Sequence, residues 1–337
     1  MAAEDGSKHW AEMNERGADW GPALLGFVYR TLGRSACLVV LAPVILYFYA
    51  FGAPQRRASL DYLNRVWAPS GRPGRPNHWH ALKHFFAFGV SLVDKFGAWI
   101  GQIDRDQIEA VDGEGFTAIR ADLRGSLILS AHVGATEIIR AVASRHQRRR
   151  INVVIHTKNA ARYNALIERF APQSQISLLE ASDFDVTTAV NISAAIERGE
   201  WVVLMGDRMP VSQNTRTIAV DFLGAPAHFP QGPFVLAAAL RCPVYLLLCY
   251  RDAGKYRIHA EQLSDGVQVS RRRRMDNLRG LVRRYADALE ALVKAAPYQW
   301  FNFYEFWASP RAQGDTPPGA KADGGEIAGG QADGRDG

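Results

Sequence analysis

Between Gly125 and Arg251, short runs of Val, Ile and Leu alternate with longer stretches of helical rhythm. No other feature restricts the chain as much. The apolar runs are Ser126–Ala131 (SLILSA), Ile151–Ile155, Ile176–Leu179, Trp201–Met205 (WVVLM), Thr217–Phe222 and Pro243–Arg251. Thr136–Gln147, Ala160–Phe170, Val186–Arg198 and Gly232–Leu240 separate most of them. A strand that is apolar on both faces has to be covered on both, and helical crossovers supply that cover. The pattern predicts an α/β fold, a central mostly parallel sheet flanked by helices. A last helix is expected over Arg272–Ala296.

The N-terminal part reads differently. Residues 1–22 are polar, and Leu24 to Ala53 is then apolar, with an uncharged core of 18 residues from Ala36 to Ala53. At ~1.5 Å per residue that core reaches ~27 Å, close to a ~30 Å hydrocarbon layer. Arg30 and Arg34 precede it, Arg56 and Arg57 follow, and Tyr47 and Tyr49 lie near one end. The segment starts too late for a secretory leader. A membrane anchor, spanning or in-plane, is expected, with a buried core helix as the alternative. Pro43 keeps the in-plane form open, and basic residues at both ends leave orientation unset. After the turn-rich run Pro69–Asn77, Ala81–Ile100 has the spacing of an amphipathic helix.

The net charge is +6, and residues 1–308 alone carry +8, because 309–337 holds three basic and five acidic residues. Such a surplus favours an anionic partner. Arg271–Arg274 with Arg279, Arg283 and Arg284 is the densest basic patch, and His146–Arg150 is another. Aromatics are not interleaved with these arginines as a base-stacking surface needs. Membrane phosphates or an acidic carrier protein are therefore preferred, and no nucleic acid is expected. The only cysteines, Cys37, Cys242 and Cys249, have apolar neighbours and no CxxC spacing, which fits buried thiols in a reducing compartment.

The chemistry concentrates after the SLILSA run, in Ser130-Ala131-His132-Val133-Gly134-Ala135-Thr136-Glu137. A strand followed by a helix places His132 at the carboxyl edge of the sheet, where α/β proteins build sites. With Gly134 tightening the turn, Glu137 in the first helical turn can accept the His132 Nδ1 proton, leaving Nε2 as a general base. A loop histidine beside a helix-start glutamate is the plainer reading of the same spacing. There is no G-x-S-x-G elbow, Walker A loop or G-x-G-x-x-G. A base without a protein nucleophile points to direct activation of a substrate hydroxyl or amine.

These residues resemble the H-x4-D/E motif of the lysophospholipid acyltransferase superfamily, and most closely its lipid A-type (lauroyl/myristoyl) branch. Other features are similar to the family in the same order. They are the preceding apolar segment, Gly206-Asp207-Arg208 at the end of an apolar run, Val220–Ala227, and Phe229-Pro230-Gln231-Gly232-Pro233 before a helix. The likeness spans roughly residues 20–305. The chain departs from the glycerolipid branch in carrying Gln231 where that branch has Glu, and Arg208 and Arg216 both fit the arginine-bearing block.

The resemblance implies transfer of a fatty acyl group from an acyl thioester, on acyl carrier protein or coenzyme A, to a hydroxyl or amine of a glycolipid or lipid-like acceptor. His132 would be the base and Glu137 its partner. Substrate contacts would come from Gly134, Asp207, Arg208, Arg216, Phe229, Pro230 and Gly232. Backbone N–H groups near Gly134 or the Arg208 guanidinium would hold the oxyanion. No metal or nucleotide cofactor is expected.

Plainer readings stand beside these. Asp207-Arg208 would be an ion pair at a strand end, and Phe229–Pro233 a turn. The aromatic run Trp300–Trp307 would be an interfacial belt or a core closure, and His78, His80 and His84 packing or interfacial residues. The expected organisation is a polar N-terminus (1–22), an anchor helix (23–57), an acyltransferase domain (58–308) and a disordered tail (309–337). The expected location is the cytoplasmic side of a bacterial inner membrane. A thioesterase using the same pair on water and a non-catalytic membrane-binding relative are the alternatives.

Overall fold

The computed structural model describes residues 20–103, 105–111, 113–135, 138, 150–156, 176–181, 186–208, 216–266 and 273–308. Nine strands occur among them: β1 (Ile108–Ala110), β2 (Ser126–Ser130), β3 (Ile151–His156), β4 (Ile176–Ala181), β5 (Trp201–Met205), β6 (Thr217–Phe222), β7 (Ala225–Pro230), β8 (Val244–Asp252) and β9 (Lys255–Ser264). Seven form one sheet in the order β1-β9-β8-β2-β5-β3-β4, and β6 and β7 form a separate antiparallel hairpin. Every pairing in the large sheet is parallel except β8–β9.

All five residues of β2 are buried, as a central strand covered on both faces requires. Leu127 and Leu129 point into one apolar layer with Val202, Leu204, Phe234 and Tyr285, while Ile128 points into the other with Val203, Tyr245 and Leu247. The expected strands are present. β9 was not foreseen, because only every second residue of its run (KYRIHAEQLS) is apolar and its outer face is charged. It returns from β8 through a tight turn at Ala253 and Gly254, both at positive φ. Apart from Ile138, the expected helix over 136–147 lies outside the described residues, as do that over 160–170 and the tail.

The N-terminal helices are α1 (Trp20–Phe51), α2 (Ala53–Trp67) and α3 (His78–Trp99). Asn77 caps α3 by accepting from the Trp79 and His80 backbone N–H groups, and His80 Nδ1 accepts from the Asn77 N–H in return. Leu24–Phe51 of α1 is long and apolar enough to cross a membrane, with mean hydropathy 1.8. Only 11% of its most apolar window is buried, so Phe27, Leu32, Val39 and Phe51 face outward. The helix kinks at Gly33 and does not stand alone. Arg34 pairs with the buried Asp94 of α3 at 2.7 Å, and Tyr49 meets Phe85 edge-on. The remaining α-helices given bounds among the described residues are α4 (Gly113–Ala121), α5 (Val186–Glu197), α6 (Gly232–Leu240) and α7 (Arg274–Ala295). Cys37, Cys242 and Cys249 are all buried free thiols.

Candidate active site

Strands β2 and β5 run side by side with Ser130 level with Met205. Two residues beyond each, at the carboxyl edge, stand His132 and Asp207. His132 Nδ1 lies 2.8 Å from Asp207 Oδ1, and the His132 backbone N–H donates to Oδ2 at 2.8 Å. The Trp300 indole N–H also donates to Oδ2, at 2.9 Å. Three donors converge on a carboxylate that is 1% exposed, which is how a buried charge is tolerated.

The other side of His132 is held by the chain beyond α7. Phe301 N–H donates to the His132 carbonyl, and Val133 bridges Trp300. Gly134 has φ +50 and sits so close to β8 that a Cβ there would lie 2.3 Å from the Cys249 carbonyl oxygen. Beneath the loop, the Tyr285 hydroxyl donates to the Ser130 carbonyl, as does the Gly206 N–H. His132 is thus fixed at its N–H, its carbonyl and Nδ1. Nε2 makes no hydrogen bond among the described residues, and the side chain remains 32% exposed.

The charges agree with that geometry. Burial and the nearby Arg208 cation hold the His132 imidazole below its usual pKa, against the opposing pull of Asp207. Burial would raise the Asp207 carboxyl, but the His132 ring, its hydrogen bonds and Arg208 outweigh it and keep the acid below its ordinary value. At neutral pH the pair is therefore a carboxylate and a neutral imidazole. Because Asp207 can only accept, Nδ1 carries the proton and Nε2 the lone pair.

The described residues bear on several of these expectations. The carboxylate on Nδ1 is Asp207, and Glu137 lies outside the described residues. A partner 75 residues away cannot be read from local spacing, and here the sheet register supplies it. The backbone N–H groups next to His132 are not open to an oxyanion. Gly134 N–H donates to the Gln299 carbonyl and Ala135 N–H to that of Cys249. Gly134 serves the close approach of two backbones.

Arg208 remains beside the pair, with Nη2 donating to the Phe301 carbonyl at 2.7 Å. Arg216 is exposed and makes no hydrogen bond or ion pair with His132 or Asp207 among the described residues; its carbonyl accepts the Gln231 N–H. The Phe229 ring is fully buried against Phe222, Tyr285 and Phe306, so it backs the site through Tyr285. Pro230 closes β7 and Gly232 opens α6. The aromatic run closes the core, with Trp300, Phe301 and Phe306 almost wholly buried. Trp300 is the contributor sequence reasoning missed, although its cluster stood out.

Residues 83–309 match the model of a family described as bacterial lipid A biosynthesis acyltransferases. The chain belongs to that family. It is an acyltransferase, and the matched stretch contains His132, Asp207, Arg208 and Trp300. No match is found among curated proteins. For this lipid A-type acyltransferase the family supports lipid biosynthesis, and the apolar outer face of α1 agrees with membrane association.

Proposed function

We propose that the protein transfers a fatty acyl group from an acyl thioester, on acyl carrier protein or coenzyme A, to a hydroxyl or amine of a glycolipid acceptor. The observation that carries this reading is His132, neutral and partly exposed, with Nδ1 held by a buried carboxylate and no hydrogen bond to Nε2 among the described residues. The acceptor O–H or N–H proton passes to Nε2 as its oxygen or nitrogen attacks the thioester carbonyl. Asp207 stabilises the imidazolium that forms. The tetrahedral intermediate then breaks its C–S bond, and the leaving thiolate takes the proton from Nε2. Such a base is worth ~10²–10⁴ in rate. Arg208, close enough to His132 to lower its pKa, would meet negative charge developing on the carbonyl oxygen. Glu137, five residues on from the base in the H-x4-E spacing, is the second carboxylate to weigh against Asp207.

Membrane seating through α1 would bring the lipid acceptor to the site, with Arg273, Arg274, Arg279, Arg283 and Arg284 exposed on or next to α7 for anionic headgroups or an acidic donor carrier. Cytoplasmic placement at the inner membrane is supported by where acyl thioesters are made and agrees with the three buried, unpaired cysteines.

The test is lipid mass spectrometry of cells carrying wild-type protein against cells carrying His132→Ala. The expected result is a membrane glycolipid lighter by one acyl chain in the variant. An unchanged lipid profile would support a non-catalytic relative. Release of free fatty acid by the purified protein without acceptor would support a thioesterase.

A further inference from the structure

His84 has no part in the steps above, yet it is the one histidine among the described residues that is wholly enclosed. It sits on α3, stacked on Phe303 with ring centroids 4.6 Å apart. Both ring nitrogens are engaged. Nε2 lies 2.8 Å from the Trp300 carbonyl and Nδ1 lies 2.9 Å from the Ser59 hydroxyl of α2. A carbonyl only accepts, so Nε2 carries the proton and Nδ1 accepts from Ser59. Burial lowers the imidazole to about 4, the Trp300 hydrogen bond notwithstanding, so the ring is neutral in this single tautomer.

Trp300 is where that ring meets the site. Its indole N–H donates to Asp207, and the next residue, Phe301, donates to the His132 carbonyl and accepts from Arg208. We propose that His84 is a positioning residue, which holds residues 300 and 301 in place from α3 and so keeps Asp207 aligned on His132. This rests on the reading of His132 as the base. The connection runs from Ser59 through His84 and Trp300 to Asp207 and His132, and every link is a hydrogen bond of 2.8–2.9 Å. The two helices that follow the membrane-facing α1 are thereby joined directly to the dyad.

The test compares His84→Leu, His84→Gln, Ser59→Ala and Trp300→Phe in the full-length protein, with a glycolipid acceptor and an acyl thioester, and with thermal melting to confirm folding. His84→Leu is expected to lower kcat by about 10- to 100-fold with KM nearly unchanged, the scale for a misaligned catalytic group. Its kcat/KM acid limb should move to higher pH. An Asp207 that has lost the Trp300 donor holds more charge for the imidazolium. His84→Gln keeps a donor for the Trp300 carbonyl and should restore most of the rate. Combining His84→Leu with Trp300→Phe should cost little more than the worse single change.

Additive losses, a loss confined to KM, or no rescue by glutamine would overturn the proposal. If His84→Leu does not fold, Ser59→Ala decides, with the same signature in smaller measure expected and wild-type behaviour refuting it. His132→Ala separates the two readings. If it stays active the base assignment is wrong, whereas a dead His132→Ala beside an unaffected His84→Leu rejects the role of His84 alone.

Discussion

Asp207→Asn is the sharpest test of the dyad, because the structure fixes which way the new amide must turn. Two donors, the His132 backbone N–H and the Trp300 indole N–H, converge on Oδ2, and His132 Nδ1 faces Oδ1. Asparagine has one acceptor oxygen. Setting its NH2 group against the two fixed donors would leave both without a partner at a buried site, at about 1–3 kcal/mol each. Setting it against Nδ1 costs far less, because the imidazole can move its proton to Nε2 and accept the amide N–H at Nδ1. The variant should therefore fold, keep its hydrogen bonds and hold His132 in the tautomer that cannot act as a base. The expected loss is about 10³–10⁴ in kcat, or about 4–5 kcal/mol of transition-state stabilisation, with KM little changed. The assay is acyl transfer to a glycolipid under saturating donor, scored by mass. An Asp207→Asn protein that melts like wild type and turns over at a comparable rate would refute the role of Asp207. A parallel collapse in Glu137→Gln alone would move that role to Glu137.

Arg208→Gln removes a cation that lowers the His132 pKa, so its kcat/KM profile should lose activity at a higher pH on the acid side than wild type does. Gly134→Ala forces a methyl group toward the Cys249 carbonyl at positive φ. It should cost about 1–3 kcal/mol or more in denaturant titrations and reduce kcat by displacing His132. His84 falls from its usual 6.5 to about 4 in the folded protein, so the unfolded chain takes up the proton first as pH drops. Stability should therefore decline between pH 6.5 and 4, by on the order of 3 kcal/mol, and His84→Gln should flatten that decline in pH-dependent unfolding.

The parallel part of the sheet could be read from the sequence because buried strands are apolar on both faces, as Leu127, Ile128 and Leu129 are. β9 could not, since half its residues face water. His132 stood out because its strand, turn and glycine are contiguous. Asp207 was singled out at the end of an apolar run, as a substrate contact or an ion-pair partner of Arg208; its contact with His132 depends on β2 and β5 being neighbours, which no local pattern encodes. The Ser59–His84–Trp300 contacts span up to 216 residues and involve residue types that also serve as ordinary core, so nothing in the sequence marked them. The long apolar α1 was legible as composition. That α1 leans on α3 through Arg34 and Asp94 was not, because neither residue departs from what a charged helix position normally holds.

The alignment of β2 with β5 ties the His132–Asp207 contact to strand register. Sliding one strand past the other by a single position would bring the imidazole level with Arg208 or Gly206, exchanging an anion for a cation or for nothing at all. A misthreaded sheet would be inert as well as unstable, and turnover would report that the two halves of the chain have zipped together in their one productive frame.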